Sequence, residues 1–392
     1  MDSSQLTFND HTQQIPYGCQ SIDNHDIAEV YSVLQSNWLT TGPKILEFEN
    51  AIAEFVDTKY AIAVSSGTAA LHCAIYAANI GFNDEVIIPS MTFAATANCV
   101  LFQGGKPVFV DVSPETLLIN PQKLEENITD RTKAIIAVDY AGHPCDYDRL
   151  RKITDIYGLV LISDACHALG AKYKGENVGS IADMTVFSFH PVKHITTGEG
   201  GMITTTNIEY AERMRRFRNH GIDVSFRERS KNATWVYDIT DLGYNYRITE
   251  IQCALGLSQL KKLPDFLNQR RKIAKMYDNA FLEFEHLEPL SVHDDIYHAY
   301  HLYVVKLDKK INRHSLFVKL NKRGIGVNVH YIPLHLHSYY KKKFKLHKGL
   351  CPIAEQSYEQ ILSLPIFPKM NEFHVQRIID DVHDCLLDSN QD

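Results

Sequence analysis

The sequence predicts an α/β protein whose larger part is a mostly parallel sheet covered by helices on both faces. Between about residues 24 and 260, short and nearly continuous apolar runs alternate with helix-sized segments. Strands that are apolar throughout belong in sheets buried on both sides. Past residue 260 the alternation stops, and a long charged helical stretch leads into a smaller mixture of strand and helix signals. That change reads as a second, α+β domain. The expected organisation is an N-terminal segment 1–24, a large domain 25–260 and a small C-terminal domain 261–392.

Element by element, helical periodicity opens the large domain in DIAEVYSVLQS and PKILEFENAIAEF, where Pro43 suits a first helical turn. YAIAVSS then reads as a strand before the helix GTAALHCAIYAANI, and EVIIPS as a strand before FAATANCVLF. KPVFVDV precedes the helix-sized PQKLEENI, and TKAIIAVDYAG precedes DYDRLRKITDIYG. GLVLISDA leads on to the strands MTVFSFH and GMITTT. In the small domain KKLPDFLNQRRKIAKMYDNAFLEF predicts a long helix and HLYVVKL a strand. SLFVKLNKRG predicts a helix, GVNVHYIP a strand and EFHVQRIIDDVHDCLLD a closing helix. The basic run KKKFKLHKG at 341–349 reads as a solvated loop face.

Composition removes several function classes. Forty basic residues against forty-seven acidic ones, net charge -7 over 392 residues, leave no excess to hold a nucleic-acid backbone. The polar, acidic start MDSSQLTFNDHTQQ lacks the pattern of a signal peptide, and no apolar run reaches membrane-span length. A cytoplasmic protein with neither membrane nor nucleic-acid partners is expected. Cys19, Cys73, Cys99, Cys145, Cys166, Cys253, Cys351 and Cys385 include no CxxC pair and read as reduced thiols. His335 and His337 could face one side of a strand, but they lack a third ligand, so no metal is expected. There is neither a GxxxxGK[ST] loop nor a GxGxxG after a strand.

Ligands of such sheets sit beyond the carboxyl ends of the strands. The residues found there are Ser66-Gly67-Thr68, the stretch Pro89 to Phe93, Asp164, and the stretch Ser188 to Lys193. Lys193, enclosed by Phe187, Phe189 and a Gly-Glu-Gly-Gly turn at 198–201, is placed for desolvation. Burial lowers a lysine's pKa and frees its amine to form a Schiff base. Asp164 closes an apolar strand, where a carboxylate wants a cation such as a protonated pyridine nitrogen. Gly67 opens a helix whose free N–H groups suit a phosphate, and Phe93 could lie flat on a ring. Singly, each has an ordinary explanation: a surface lysine, a helix cap, a core phenylalanine. Together they are what a pyridoxal 5'-phosphate site demands.

FSFHPVKHITTGEGG, SDACHALGA, SSGTAAL and GYNYRITEIQCALGLSQL, in that company, resemble the DegT/DnrJ/EryC1/StrS family of sugar aminotransferases. The likeness runs from about Ile15 to the C-terminal helix. It implies the fold-type I pyridoxal-phosphate architecture: a large domain with a mostly parallel seven-stranded sheet between helices, and a smaller α+β domain. It also implies that the N-terminal segment packs near the active site. Within the family, TKAIIAVDYAG, VFSFHPVKHITT, RNHGI and GVNVHYIPLH are most similar to the transaminases of pseudaminic acid biosynthesis. Those act at C4 of a UDP-linked 4-keto-6-deoxy-N-acetylhexosamine.

Carried over by that resemblance, Lys193 holds the cofactor as a Schiff base and later moves the proton, and Asp164 pairs with the pyridine nitrogen. His167 lies near the ring oxygen and Phe93 stacks on the ring. Gly67, Thr68 and Ser188 hold the phosphate, and Asn245 reaches it from the second subunit of a homodimer. Substrate contacts come from Tyr17, Asn37, Trp38, Leu39, Thr40, His330, Tyr331, Ile332 and Pro333. The expected partners are a nucleotide sugar and L-glutamate. Ser65 stands where relatives often carry asparagine, which leaves that side chain's role open. Lys193 at the motif position argues against the dehydratases that carry histidine there. The alternatives are another nucleotide keto sugar (a dTDP-4-keto or a 3-keto sugar), or a pyridoxal-phosphate-binding regulatory protein without turnover.

Overall fold

The apolar runs become strands because β-branched residues on alternate sides can both be buried when helices cover both faces. The computed structural model describes residues 14–224 and 226–387. Residues 1–13 of the expected N-terminal segment and 388–392 of the small domain lie outside the described residues. The strands in chain order are β1 (Tyr60–Val64), β2 (Glu85–Pro89), β3 (Lys106–Val110), β4 (Thr132–Val138) and β5 (Val160–Asp164). The short β6 (Lys172–Tyr173) and β7 (Glu176–Asn177) follow, then β8 (Met184–Ser188) and β9 (Gly201–Thr205). Seven of these form one sheet, ordered β1-β9-β8-β5-β4-β2-β3. Neighbours from β8 to β3 are parallel, while β9 runs antiparallel between β1 and β8. The mostly parallel seven-stranded sheet is therefore as expected.

Period-two burial shows both faces at work. Ile62 and Val64 of β1 join one core with the helices Gly67–Ala77, Ala94–Phe102, Tyr147–Tyr157 and Ile208–Phe217. Ala61 and Ala63 point the other way, into a core with Phe48, Phe187, Cys253 and Leu263. That second face is covered by the helices Pro43–Phe55 and Glu250–Phe281.

Glu250–Phe281 is continuous over 32 residues with Pro264 inside it. A capping box of Thr249 and Gln252 starts it. The boundary expected at 260 falls within this helix, which serves both parts of the chain. Its C-terminal half supplies Ile273, Ala274, Tyr277 and Phe281 to the small-domain core. There it meets the antiparallel sheet of β10 (Leu287–Pro289), β12 (Tyr303–Leu307) and β13 (Ile361–Leu364). β11 (Ile296–Tyr297) pairs with β6 instead.

Two expectations are corrected. PQKLEENI is not an α-helix but two 3-10 turns, Pro121–Lys123 and Glu125–Asn127. Eight residues repay helix nucleation poorly, and the Asn127 side-chain amide donates to the Lys123 carbonyl at 2.8 Å, competing with helical continuation. GVNVHYIP is extended but not a strand. It makes one isolated bridge, Asn328 to Ser363, after which its polar groups go to side chains: Tyr331 N–H to Met91 Sδ, and the His330 carbonyl to the Tyr140 hydroxyl.

The chain from Ile15 lies along the small domain. Ile15 exchanges backbone bonds with Gly324 and Gly326 at 2.8 and 2.7 Å. All eight cysteines are free thiols. Among the described residues no helix is long and apolar enough to cross a membrane.

Candidate active site

The carboxyl ends of the parallel strands β8, β5, β4 and β2 lie along one edge of the sheet, and the sequence places candidate residues at or just after the ends of β2, β5 and β8. Asp164 ends β5 and is buried. Its Oδ2 accepts from Thr96 Oγ1 at 2.8 Å, and its Oδ1 accepts from the Cys166 N–H at 3.4 Å. Lys193 lies in the turn after β8, which closes on itself through Phe189 N to Gly200 O (2.9 Å) and Thr197 N to Phe189 O (3.0 Å). Burial pushes the Lys193 ammonium below its ordinary pKa, opposed by the nearby Asp164 carboxylate. Lys193 is half-buried beside the end of β5.

Beside it is a narrow cradle. Ser66 caps the helix Gly67–Ala77, its Oγ accepting from the Ala69 N–H at 3.1 Å. A Cβ on Gly67 would stand 3.0 Å from Ser188 Cβ and 3.3 Å from Cys166 Sγ. A Cβ on Gly201 would stand 2.4 Å from the Ser66 carbonyl oxygen. The two glycines therefore let Ser66, Gly67, Thr68 and Ser188 converge at a helix N-terminus, the natural seat for a phosphate. Thr68 faces solvent at its rim.

Phe93 is 60% exposed at the start of the helix Ala94–Phe102. Its ring centroid is 6.1 Å from that of Tyr331. The Tyr331 hydroxyl lies 3.1 Å from His167 Nε2, while His167 Nδ1 is buried with no partner among the described residues. Burial first, then the Lys193 charge, holds His167 neutral, and the same causes bring His330 down to about 4.

The substrate candidates fall in two groups. Tyr17 meets His330, ring centroids 5.6 Å apart, so the N-terminal segment reaches the wall formed by His330, Tyr331, Ile332 and Pro333. Asn37, Trp38, Leu39 and Thr40 are exposed. They are tied to the site indirectly: Thr40 bridges Thr249, Glu250 N–H donates to the Leu39 carbonyl, and Gln252 Nε2 donates to the Glu199 carbonyl in the lysine loop. Asn245 is exposed and its backbone bridges Asn219, while the neighbouring Tyr246 carbonyl accepts from the Ser65 N–H at 2.9 Å.

His335 and His337 do not share a metal-binding face. His335 is fully buried between Ser90 Oγ (2.6 Å from Nδ1) and Glu355 Oε1 (2.8 Å from Nε2), and His337 is exposed. Among the described residues no group of three or more His, Cys, Asp or Glu could hold a metal. The basic run lies partly on the short helix Ser338–Phe344, its lysines exposed.

Sequence reasoning missed Thr96, which fixes Asp164, and His301, whose Nε2 lies 3.4 Å from Lys193 Nζ. Thr96 carried a usable signal, since it sits three residues into the helix that follows β2. His301 carried none, because it arrives from the small domain.

Fold and site together are those of the fold-type I, pyridoxal-phosphate-dependent aminotransferases. The chain belongs to the DegT/DnrJ/EryC1/StrS aminotransferase family, whose pattern matches residues 20–383. It is 46% identical to the uncharacterized protein MJ1066 of Methanocaldococcus jannaschii, over 92% of this chain and 95% of that one. It is 41% identical to the spore coat polysaccharide biosynthesis protein SpsC of Bacillus subtilis, over 95% and 97%. PseC of Helicobacter pylori, an aminotransferase of pseudoaminic acid biosynthesis, is 34% identical with a TM-score of 0.90, over 96% of this chain and all of that one. The Streptococcus pneumoniae protein Spr1654, solved in a PMP form, is 33% identical with a TM-score of 0.91, over 96% and 100%. Pyridoxal phosphate fits the residues present here: a glycine cradle that a Cβ would fill, a buried carboxylate, a desolvated lysine and an orphaned His167 nitrogen.

Proposed function

We propose that the protein moves an amino group from L-glutamate to C4 of a UDP-linked 4-keto-6-deoxy-N-acetylhexosamine, giving a 4-amino sugar of the pseudaminic acid type. The observation that carries the chemistry is the desolvated Lys193 beside the Thr96-held Asp164. The likeness to PseC supports the substrate.

When bound, pyridoxal phosphate supplies an aldehyde carbon for amine exchange and a ring into which electrons from a broken C–H bond can spread. Lys193 would hold it in the resting enzyme through its side-chain amine. Nζ, whose pKa burial lowers, would then remove and return the proton on each half of the exchange. Asp164 offers a fixed carboxylate to a cationic ring nitrogen, which makes that electron spread less costly. Ser66, Gly67, Thr68 and Ser188 would hold the phosphate, and Phe93 and His167 would serve the ring. Tyr17, Trp38 and Ile332, the last two exposed, would supply contacts to the nucleotide sugar. Asn245 of the partner subunit completes the phosphate site, which makes the working unit a homodimer.

The test is mass spectrometry of products from the loaded enzyme, glutamate and competing UDP- and dTDP-linked 4-keto and 3-keto sugars. Preferential amination of the UDP-4-keto-6-deoxy-N-acetylhexosamine, lost in Lys193→Ala, is expected. Preference for another sugar overturns the substrate. A second reading, another nucleotide keto sugar, draws on the higher identity to SpsC, 41% against 34% for PseC.

A further inference from the structure

We infer that His301 is the positioning residue for the Lys193 amine; the inference rests on Lys193 being the lysine that bears the cofactor. Among the described residues, His301 Nε2 at 3.4 Å is the hydrogen-bond partner of Nζ. Its ring centroid lies 4.4 Å from that of His167 and 5.7 Å from that of His194.

The stretch 298–302 is held from several sides. Ala299 N–H donates to the Gly142 carbonyl at 3.0 Å, and Leu302 N–H to the Ala141 carbonyl at 3.2 Å. Fully buried Arg270 reaches the carbonyls of Tyr300 (3.0 Å) and His301 (3.4 Å) through Nη1. Tyr300 itself has φ 48°, the left-handed region that ordinary side chains avoid. His194 Nε2 donates to the Ala299 carbonyl at 3.0 Å. Much local structure thus serves to present one imidazole from the small-domain side to a lysine on the large sheet.

The imidazole is neutral. Burial disfavours its protonated form, and so do the groups facing it: the Lys193 ammonium most, then His167 and His194 wherever they would be protonated, and the Arg270 guanidinium. Asp164 and Cys166 face the same amine from the end of β5. A neutral ring with its proton on Nδ1 turns the Nε2 lone pair to the lysine. Accepting from Nζ favours the ammonium form, working against burial. It also fixes one N–H, and so fixes the direction in which the remaining valences of the amine point. His301 Nδ1 is meanwhile buried with no partner among the described residues. A purely structural histidine would have both nitrogens satisfied.

The test labels the full-length chain, stripped of cofactor, with acetic anhydride across a pH series, and follows the Lys193 peptide by mass spectrometry. His301→Phe keeps a packed ring but no acceptor, and is expected to move the Lys193 titration midpoint down by about one pH unit. His301→Gln keeps an acceptor and is expected to stay with wild type. The exposed Lys174 serves as the internal control. An unmoved midpoint in His301→Phe, or an equal shift in His301→Gln, overturns the inference. If circular dichroism shows His301→Phe unfolded, His301→Leu replaces it under the same criteria. Borohydride trapping of pyridoxal phosphate is scored separately. Failure of Lys193 to be trapped in wild type counts against the lysine's assignment, whereas normal trapping with an unmoved midpoint counts against His301 alone.

Discussion

Thr96 Oγ1 donates to Asp164 Oδ2 at 2.8 Å, and Thr92 Oγ1 lies a further 2.8 Å from Thr96 Oγ1. The carboxylate at the end of β5 is thereby oriented by the helix that follows β2, the one that also begins beside Phe93. Thr96→Val preserves shape and removes the donor. It should cost about 1–2 kcal/mol of stability and speed the loss of pyridoxal phosphate on dialysis, read by urea unfolding and residual bound cofactor. Unaltered retention would mean that the remaining contact to the Cys166 N–H suffices.

Gly201 stands where the antiparallel β9 passes the phosphate cradle. The Cβ of Gly201→Ala would lie 2.4 Å from the Ser66 carbonyl oxygen and 2.9 Å from the Gly67 nitrogen, both backbone atoms. The cradle must shift, at a cost of about 1–3 kcal/mol. Pyridoxal phosphate affinity, measured by equilibrium titration, should fall roughly tenfold or more.

His335 joins Ser90, at the end of β2, to Glu355 in the helix Pro352–Gln360. Glu355 Oε1 also accepts from the Gly349 N–H at 2.7 Å. His335→Leu strands a buried hydroxyl and a largely buried carboxylate, so urea denaturation should record a loss of roughly 3 kcal/mol. Phe93 lies only three residues beyond Ser90, so activity should drop as well. Intact stability in His335→Leu would show that the bridge contributes nothing.

Burial holds His72, His143 and His330 down to about 4. An unfolded histidine titrates near 6.5, so between these values the unfolded chain binds protons that the folded chain refuses. Stability must therefore fall as pH drops through that window, by up to about 1.4 kcal/mol per pH unit for each histidine. Buried Asp139, raised to about 6, works in the opposite sense. Its contribution is complete below the unfolded carboxylate range and lost as pH rises through about 6, and it offsets about one histidine. Urea midpoints should decline steadily from about pH 6.5 to about pH 4.5; a flat profile would contradict the neutral histidine shell.

If Asn245 serves the partner's phosphate site, Lys193→Ala and Asn245→Ala should each be poorly active alone. Subunits mixed after mild dissociation should regain turnover, because one of the two sites in a mixed dimer then carries neither change. Absence of recovery in a mixture shown by native mass spectrometry to contain mixed dimers would mean that Asn245 acts within its own chain or not at all.

The sheet and the lysine were legible because strands buried on both faces are written as continuous apolar runs. In a parallel sheet the residue after each run lies at the carboxyl edge where ligands sit, which is why Asp164, Ser188 and Lys193 stood out. PQKLEENI misled because eight residues carry too little periodicity to tell a helix from paired turns. GVNVHYIP misled because its composition is that of a strand, yet its polar groups are satisfied by Tyr140 and Met91. His301 was invisible for another reason: it sits in an irregular stretch before β12, and only tertiary packing brings it to Lys193.

The helix Glu250–Phe281, at about 1.5 Å per residue, is a rod of roughly 48 Å. One end touches the lysine loop through Gln252 and Glu199, and the other packs its own Tyr277 and Phe281 into the small-domain core with Leu287, Tyr303 and Val305. The two halves of the protein are thus joined by a lever rather than a tether. The turn that carries Lys193 and the core of the small domain therefore lean on the same continuous element.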